Sequence, residues 1–83
     1  MAYKIRYKTS VRKDLSKIDK KEASRIINAI ERELVTEPKK GKQLAGEYSG
    51  LYRYRIGDYR IIYSIFKDSI LILRVGHRKD VYK

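Results

Sequence analysis

The sequence predicts a small α+β domain: an antiparallel sheet of about four strands with two helices packed on one face. Three observations carry this. An alternating run opens the chain, two stretches of helical spacing follow, and the last third holds three strand-like runs divided by tight turns. Strands segregated from helices in this way favour α+β over an alternating parallel sheet. The expected order is β-α-α-β-β-β within a single domain, residues 1–83.

In the first run Tyr3, Ile5 and Tyr7 alternate with Lys4, Arg6 and Lys8, which reads as a half-buried strand with a basic outer face. Thr9 or Ser10 is placed to cap a first helix, whose apolar side is Val11, Leu15 and Ile18. Asp19 with Glu22 resembles a capping box. It opens a second helix with Ala23, Ile26, Ile27, Ile30 and Leu34 on one side. Arg12, Lys13, Lys17, Lys20, Lys21 and Arg25 fall on the outer helix sides. Thr36 to Gly50 reads as loop, with the single proline, Pro38, three glycines and the cluster Lys39, Lys40 and Lys42.

The final third is strand signal throughout. Leu51 to Ile56 sets Tyr52, Tyr54 and Ile56 on one face and Arg53 and Arg55 on the other. Tyr59 to Phe66 continues with Tyr59, Ile61, Tyr63 and Ile65 on the tyrosine face and Arg60 on the arginine face. Ile70 to Val75 is apolar on both faces, as suits an interior strand. Arg74 joins Arg60 if Leu71, Leu73 and Val75 join the core, which a three-residue turn at Lys67–Ser69 would allow.

Composition narrows the function classes. Lys plus Arg number 21 against 10 acids, a formal net charge of +11, which favours a polyanionic partner: nucleic acid, a ribosome or an acidic protein. Without cysteine, and with one histidine, disulfides and thiolate or multi-histidine zinc sites are set aside. Acidic residues are scattered, so no metal site and no cofactor is expected. No apolar run approaches the roughly 20 residues of a membrane span, and the alternating N-terminus is unlike a signal peptide. The expectation is a cytoplasmic protein with no membrane partner.

The sharpest local feature is RYRIGDYR. Gly57-Asp58 reads as a two-residue turn, which pairs Ile56 with Tyr59 and Arg55 with Arg60. Like charges set directly opposite destabilise a sheet. The pairing therefore expects an anion between the guanidinium groups, and in so basic a chain that anion is a phosphate. The competing reading is a salt bridge from Arg60 to Asp58 or Glu47. Arg53, Arg55, Arg60 and Arg74 together form a cationic sheet face suited to forked hydrogen bonds with phosphoryl oxygens. The tail VGHRKDVYK adds His77, Arg78, Lys79 and Tyr82, groups for proton transfer and base stacking. In a metal-free scheme the RNA 2′-OH attacks its own adjacent phosphorus, helped only by a base, an acid and cationic support.

The segments LAG, GLYRYRIGDYRIIY and VGHRKDVY together resemble the RelE/ParE toxin superfamily, most strongly from Leu44 to Tyr82. In its RelE branch the resemblance implies the toxin of a type II toxin–antitoxin system. Such a toxin is a metal-independent endoribonuclease that cuts mRNA in the ribosomal A site and is held inactive by a RelB-like antitoxin. The resemblance implies a small antiparallel sheet with two helices. Its cutting groups fall on Arg53 and Arg55 in one strand, Arg60 at the start of the next, and Arg78 and Tyr82 near the C-terminus, with His77 occupied by histidine in some members. Possession of this set favours RelE over the gyrase-inhibiting ParE branch. Arginine stands at Arg53 and Arg55 where the best-known members have lysine, and a guanidinium is a poor proton carrier. The chain ends at Lys83 without the C-terminal helix that many members carry, leaving the mode of inhibition open.

Arg60 is the expected clamp on the scissile phosphate, with Arg78 on the same or a neighbouring one and Arg53 and Arg55 on the backbone. Tyr82, His77 or a lysine would move the proton. Lys4, Arg6, Lys8, Arg12, Lys13, Lys39, Lys40, Lys42, Arg74 and Lys79 are the candidates for wider RNA contact. Two rival readings remain: a ParE-like inhibitor of DNA gyrase, and a basic RNA- or protein-binding module without catalysis.

Overall fold

A computed structural model describes residues 3–46 and 49–77 of the chain. Strand β1 (Lys4–Tyr7) leads into helix α1 (Thr9–Ser16) and helix α2 (Lys20–Ala29). A wider π-type turn over Ile30–Leu34 prolongs α2, and a single 3-10 turn follows at Pro38–Lys40. Then come β2 (Lys42–Gln43), β3 (Leu51–Ile56), β4 (Tyr59–Phe66) and β5 (Ser69–His77). They form one sheet in the order β1-β5-β4-β3-β2.

The expected plan of two helices on one side of a small sheet holds, with two refinements. The sheet is mixed, not wholly antiparallel: β1 pairs with β5 in parallel, Ile5 beside Ile70 and Tyr7 beside Ile72. The two helices between β1 and the hairpins supply the long crossover that a parallel pair needs. The fifth strand is β2, two residues within the stretch read as loop, pairing Lys42 with Arg53 and Gln43 with Tyr52.

The core lies between the helices and one sheet face. Val11 of α1, and Ile26, Ile30 and Leu34 of the second helical stretch, pack with Ile61, Tyr63, Ile70, Ile72 and Val75. Helix α1 begins one residue earlier than its expected caps: Lys8 holds the N-cap position and Thr9 is already helical. Helix α2 keeps half of its capping box. The Asp19 carboxylate accepts from the Lys21 amide at 3.2 Å, while Glu22 turns to Arg25 at 2.9 Å.

The β4–β5 turn has two residues, not three, since Phe66 pairs with Ser69. That register puts Ile70 and Ile72 in the core. A bulge then reverses the alternation: Tyr63 faces Ile72 and Ile62 faces Arg74, so Leu73 is the extra residue. Val75 is thereby returned to the core and Arg74 to the uncovered face, as expected, by a different route.

Candidate functional site

The register builds the uncovered face in cross-strand rows. Gly57, at φ +61°, makes the turn that a side chain would strain, and the hairpin it closes pairs Arg55 with Arg60. On its other side Arg60 pairs with Gly76. The next row sets Ile62 between Arg74 and Arg53, with Lys42 beyond Arg53. Further along, Ser64 lies between Leu71 and Leu51, with Arg6 beyond Leu71. At the far end Phe66 pairs with Ser69, next to Lys4. One half of this face is thus cationic and the other is apolar with a basic flank.

Arg60 is the centre of the cationic half. None of the ion pairs or side-chain hydrogen bonds among the described residues involves Arg53, Arg55 or Arg60. The Arg60 Nε is buried and lacks a hydrogen-bond partner among the described residues. An unmet charged donor beside a like charge is costly, and a phosphate would relieve both terms. The rival ion pair to Asp58 does not form, and Glu47 lies outside the described residues.

The structure divides the other candidates. His77 pairs in register with Tyr59, and its ring meets the Tyr59 ring edge-on with centroids 5.9 Å apart. It therefore stands on the helix-covered side, across the sheet from Arg55 and Arg60, and not beside them on the arginine face. Alternation along β5 is the cause: Gly76, not His77, is the neighbour of Arg60. Arg78, Lys79 and Tyr82 lie outside the described residues.

Two of the candidates for wider RNA contact are paired with carboxylates. Arg74 reaches Asp14 of α1 at 3.4 Å, and the same carboxylate oxygen accepts from the Val75 amide at 3.0 Å. Lys40 donates to Glu33 at 2.7 Å. Lys8 and Arg12 line a groove between β1 and the helices, on the other side of the sheet from Arg60. Lys13 and Lys39 are exposed. Lys4, Arg6 and Lys42 do share the open face.

The loop that carries Lys42 is pinned from beneath. Tyr63 donates to the Pro38 carbonyl at 2.7 Å and accepts from the Gly41 amide at 3.0 Å. A side chain at Gly41 would fall 2.6 Å from the Tyr63 hydroxyl and 2.8 Å from the Arg53 carbonyl. Tyr54 donates to Glu33 at 2.6 Å. Hydrogen bonds from Lys40 and then Tyr54 hold the Glu33 carboxyl below its usual range, while burial pushes the Tyr63 phenol up. Sequence reading missed Asp14, Glu33 and Gly41, since each acts through partners distant in the chain.

Among the described residues no three His, Asp or Glu side chains converge as metal ligands would, and no helix is long and apolar enough to cross a membrane.

Comparison with known proteins places this geometry. The family described as the ParE toxin of the type II toxin–antitoxin system, parDE, matches residues 5–82. Toxin RelG of Mycobacterium tuberculosis is 35% identical, over 100% of this chain and 99% of its own length. The chain belongs to the RelE/ParE toxin superfamily, in its RelE-like branch. The crystal structure of the toxin–antitoxin complex RelBE2 from Mycobacterium tuberculosis contains a chain 33% identical to this RelE-like toxin. It superposes with a TM-score of 0.89, covering 94% of this chain and all of that one. A chain of the archaeal RelE–RelB complex from Pyrococcus horikoshii OT3 is 31% identical with a TM-score of 0.69, over 98% of this chain and all of that one. The RelE-like toxin is thus the toxin component of a type II system.

Proposed function

We propose that this toxin is a ribosome-dependent mRNA endonuclease, metal-independent, kept inactive by a cognate RelB-like antitoxin. The observation that carries the reading is Arg60: a buried guanidinium nitrogen with no hydrogen-bond partner among the described residues, opposite Arg55 and one row from Arg53, on the sheet face away from the helices. The complexes of related RelE chains with RelB support the partner.

In the proposed reaction the mRNA 2′-OH loses its proton to a base and its oxygen bonds to the adjacent phosphorus. The bond to the 5′-oxygen breaks, and an acid returns a proton to that oxygen. Charge builds on the non-bridging phosphoryl oxygens, where Arg60 and Arg55 would meet it. Arg53 and Lys42 would hold the flanking backbone. Arginine carries charge well and protons poorly, so the proton carriers must be other groups. With His77 across the sheet, the candidates for proton transfer are Tyr82, by family resemblance, and Lys42, beside Arg53 in the register. Arg78 is assigned to the same phosphate by the resemblance.

The test is to add the purified toxin to a translating extract and map mRNA ends with and without ribosomes. Cuts should appear only with ribosomes. Arg60→Ala and Arg78→Ala should each lower cutting by about 100-fold or more, the scale of one lost transition-state donor, with the fold intact by circular dichroism. Near-normal cutting by both variants would sink the assignment. Damage to DNA preceding any loss of protein synthesis in expressing cells would favour gyrase instead.

A further inference from the structure

The far end of the open face has features that the cutting site does not use. Phe66 is 71% exposed, against 37% for Tyr7, the other exposed large hydrophobic among the described residues. It closes the apolar half of the face, beyond Leu71 and Leu51. Its neighbour Lys67 holds its ammonium 5.4 Å from the Phe66 ring centroid. Lys67 is also the one described non-glycine residue at positive φ, +55°. Glycine would take that turn position without strain, so the lysine stands there against a local preference. Lys4 stands in the same row, one strand beyond Ser69. An open aromatic face with cations around it is the form of a single-strand stacking site.

We infer that Phe66, with Lys67 and Lys4, is a second RNA contact that stacks one unpaired base and holds its phosphate. It lies along β4 about 20 Å from Arg60, six residues away at the usual strand rise. The inference rests on the reading of the toxin as one that acts on ribosome-bound RNA, and adds a base contact remote from the cut. The stacked base is assigned to the mRNA, a few nucleotides from the scissile phosphate, because Phe66 and Arg60 share one strand and its open face; a base of ribosomal RNA is the alternative that the test separates.

The test measures binding of the full toxin to purified ribosomes and to a short single-stranded oligoribonucleotide across a salt series. Phe66→Ala should weaken binding about tenfold, the range of one lost stack, while Phe66→Trp keeps it. Lys67→Gly should raise the thermal midpoint by roughly 4 °C as backbone strain is relieved. The same change should weaken binding and lower the salt slope by about one unit. A merely structural residue would not lose binding while gaining stability. Loss on both probes supports the site; loss on ribosomes alone overturns the assignment to mRNA and moves the base to ribosomal RNA. Phe66→Ala binding like the parent on both probes overturns the inference. If the parent toxin itself does not bind ribosomes, the ribosome reading fails first, so the two failures are told apart.

Discussion

Ile61 and Ile62 are adjacent in β4 and nearly sealed from water, at 0% and 5% exposure, but on opposite sides of the sheet. Ile61 joins the cluster beneath the helices. Ile62 lies on the uncovered side, with Arg53 and Arg74 as its cross-strand neighbours. The contrast extends to polar groups. On the helix side Tyr54 donates to Glu33, while Tyr63 donates to the Pro38 carbonyl and accepts from the Gly41 amide. On the open side Arg53, Arg55 and Arg60 stand together without carboxylate partners among the described residues. One side of the sheet is organised for stability, and the other carries unmet charge that a ligand would satisfy.

The comparison can be broken first with paired truncations. Ile61→Ala should cost about 3 kcal/mol in urea unfolding, since the rigid core around it collapses little. Ile62→Ala should cost about 1 kcal/mol, because flexible arginine stems can close over the gap. Equal costs would mean that the open side is packed like a core. Tyr63→Phe removes one donated and one accepted hydrogen bond and should cost about 2 kcal/mol. A smaller loss would show that the loop holds without its pin.

Acid sharpens the contrast further. The Glu33 carboxyl is depressed in the fold by Lys40 and Tyr54. Its contribution is therefore present above the ordinary carboxylate range and is lost as pH falls through the folded value. Glu33→Gln should lower stability near neutrality and flatten its decline on the acid side. An unchanged pH profile would remove Glu33 from the account. The smallest effect is expected from Arg55→Ala: a gain of about a few tenths of a kcal/mol at low salt, as repulsion from Arg60 is relieved. A loss of stability there would mean that the pair is already neutralised within the protein.

Much of the site was legible because it is local. Gly57-Asp58 fixes the hairpin register, and the register alone pairs Arg55 with Arg60. Features that depend on distant partners were not. The parallel place of β1 is set by where two helices return the chain. The two residues of β2 are too few to show a period. The β4–β5 turn hid its length because Lys67 takes a position where glycine would be the usual signal. The bulge at Leu73 lies in a run apolar on both faces, where a shift of one residue leaves no mark in the pattern. That same run left the side of His77 undecided until its pairing with Tyr59 was seen.

The locality of the arginine pair has a kinetic consequence. A hairpin of this kind closes on the order of 1–10 μs, whereas β1 must search for β5 from the opposite end of the chain. Arg55 and Arg60 would thus come together before the parallel edge zips shut. A chain still maturing would already hold the two guanidinium groups to which the proposed function assigns RNA, and under that proposal an antidote would do best to meet it early.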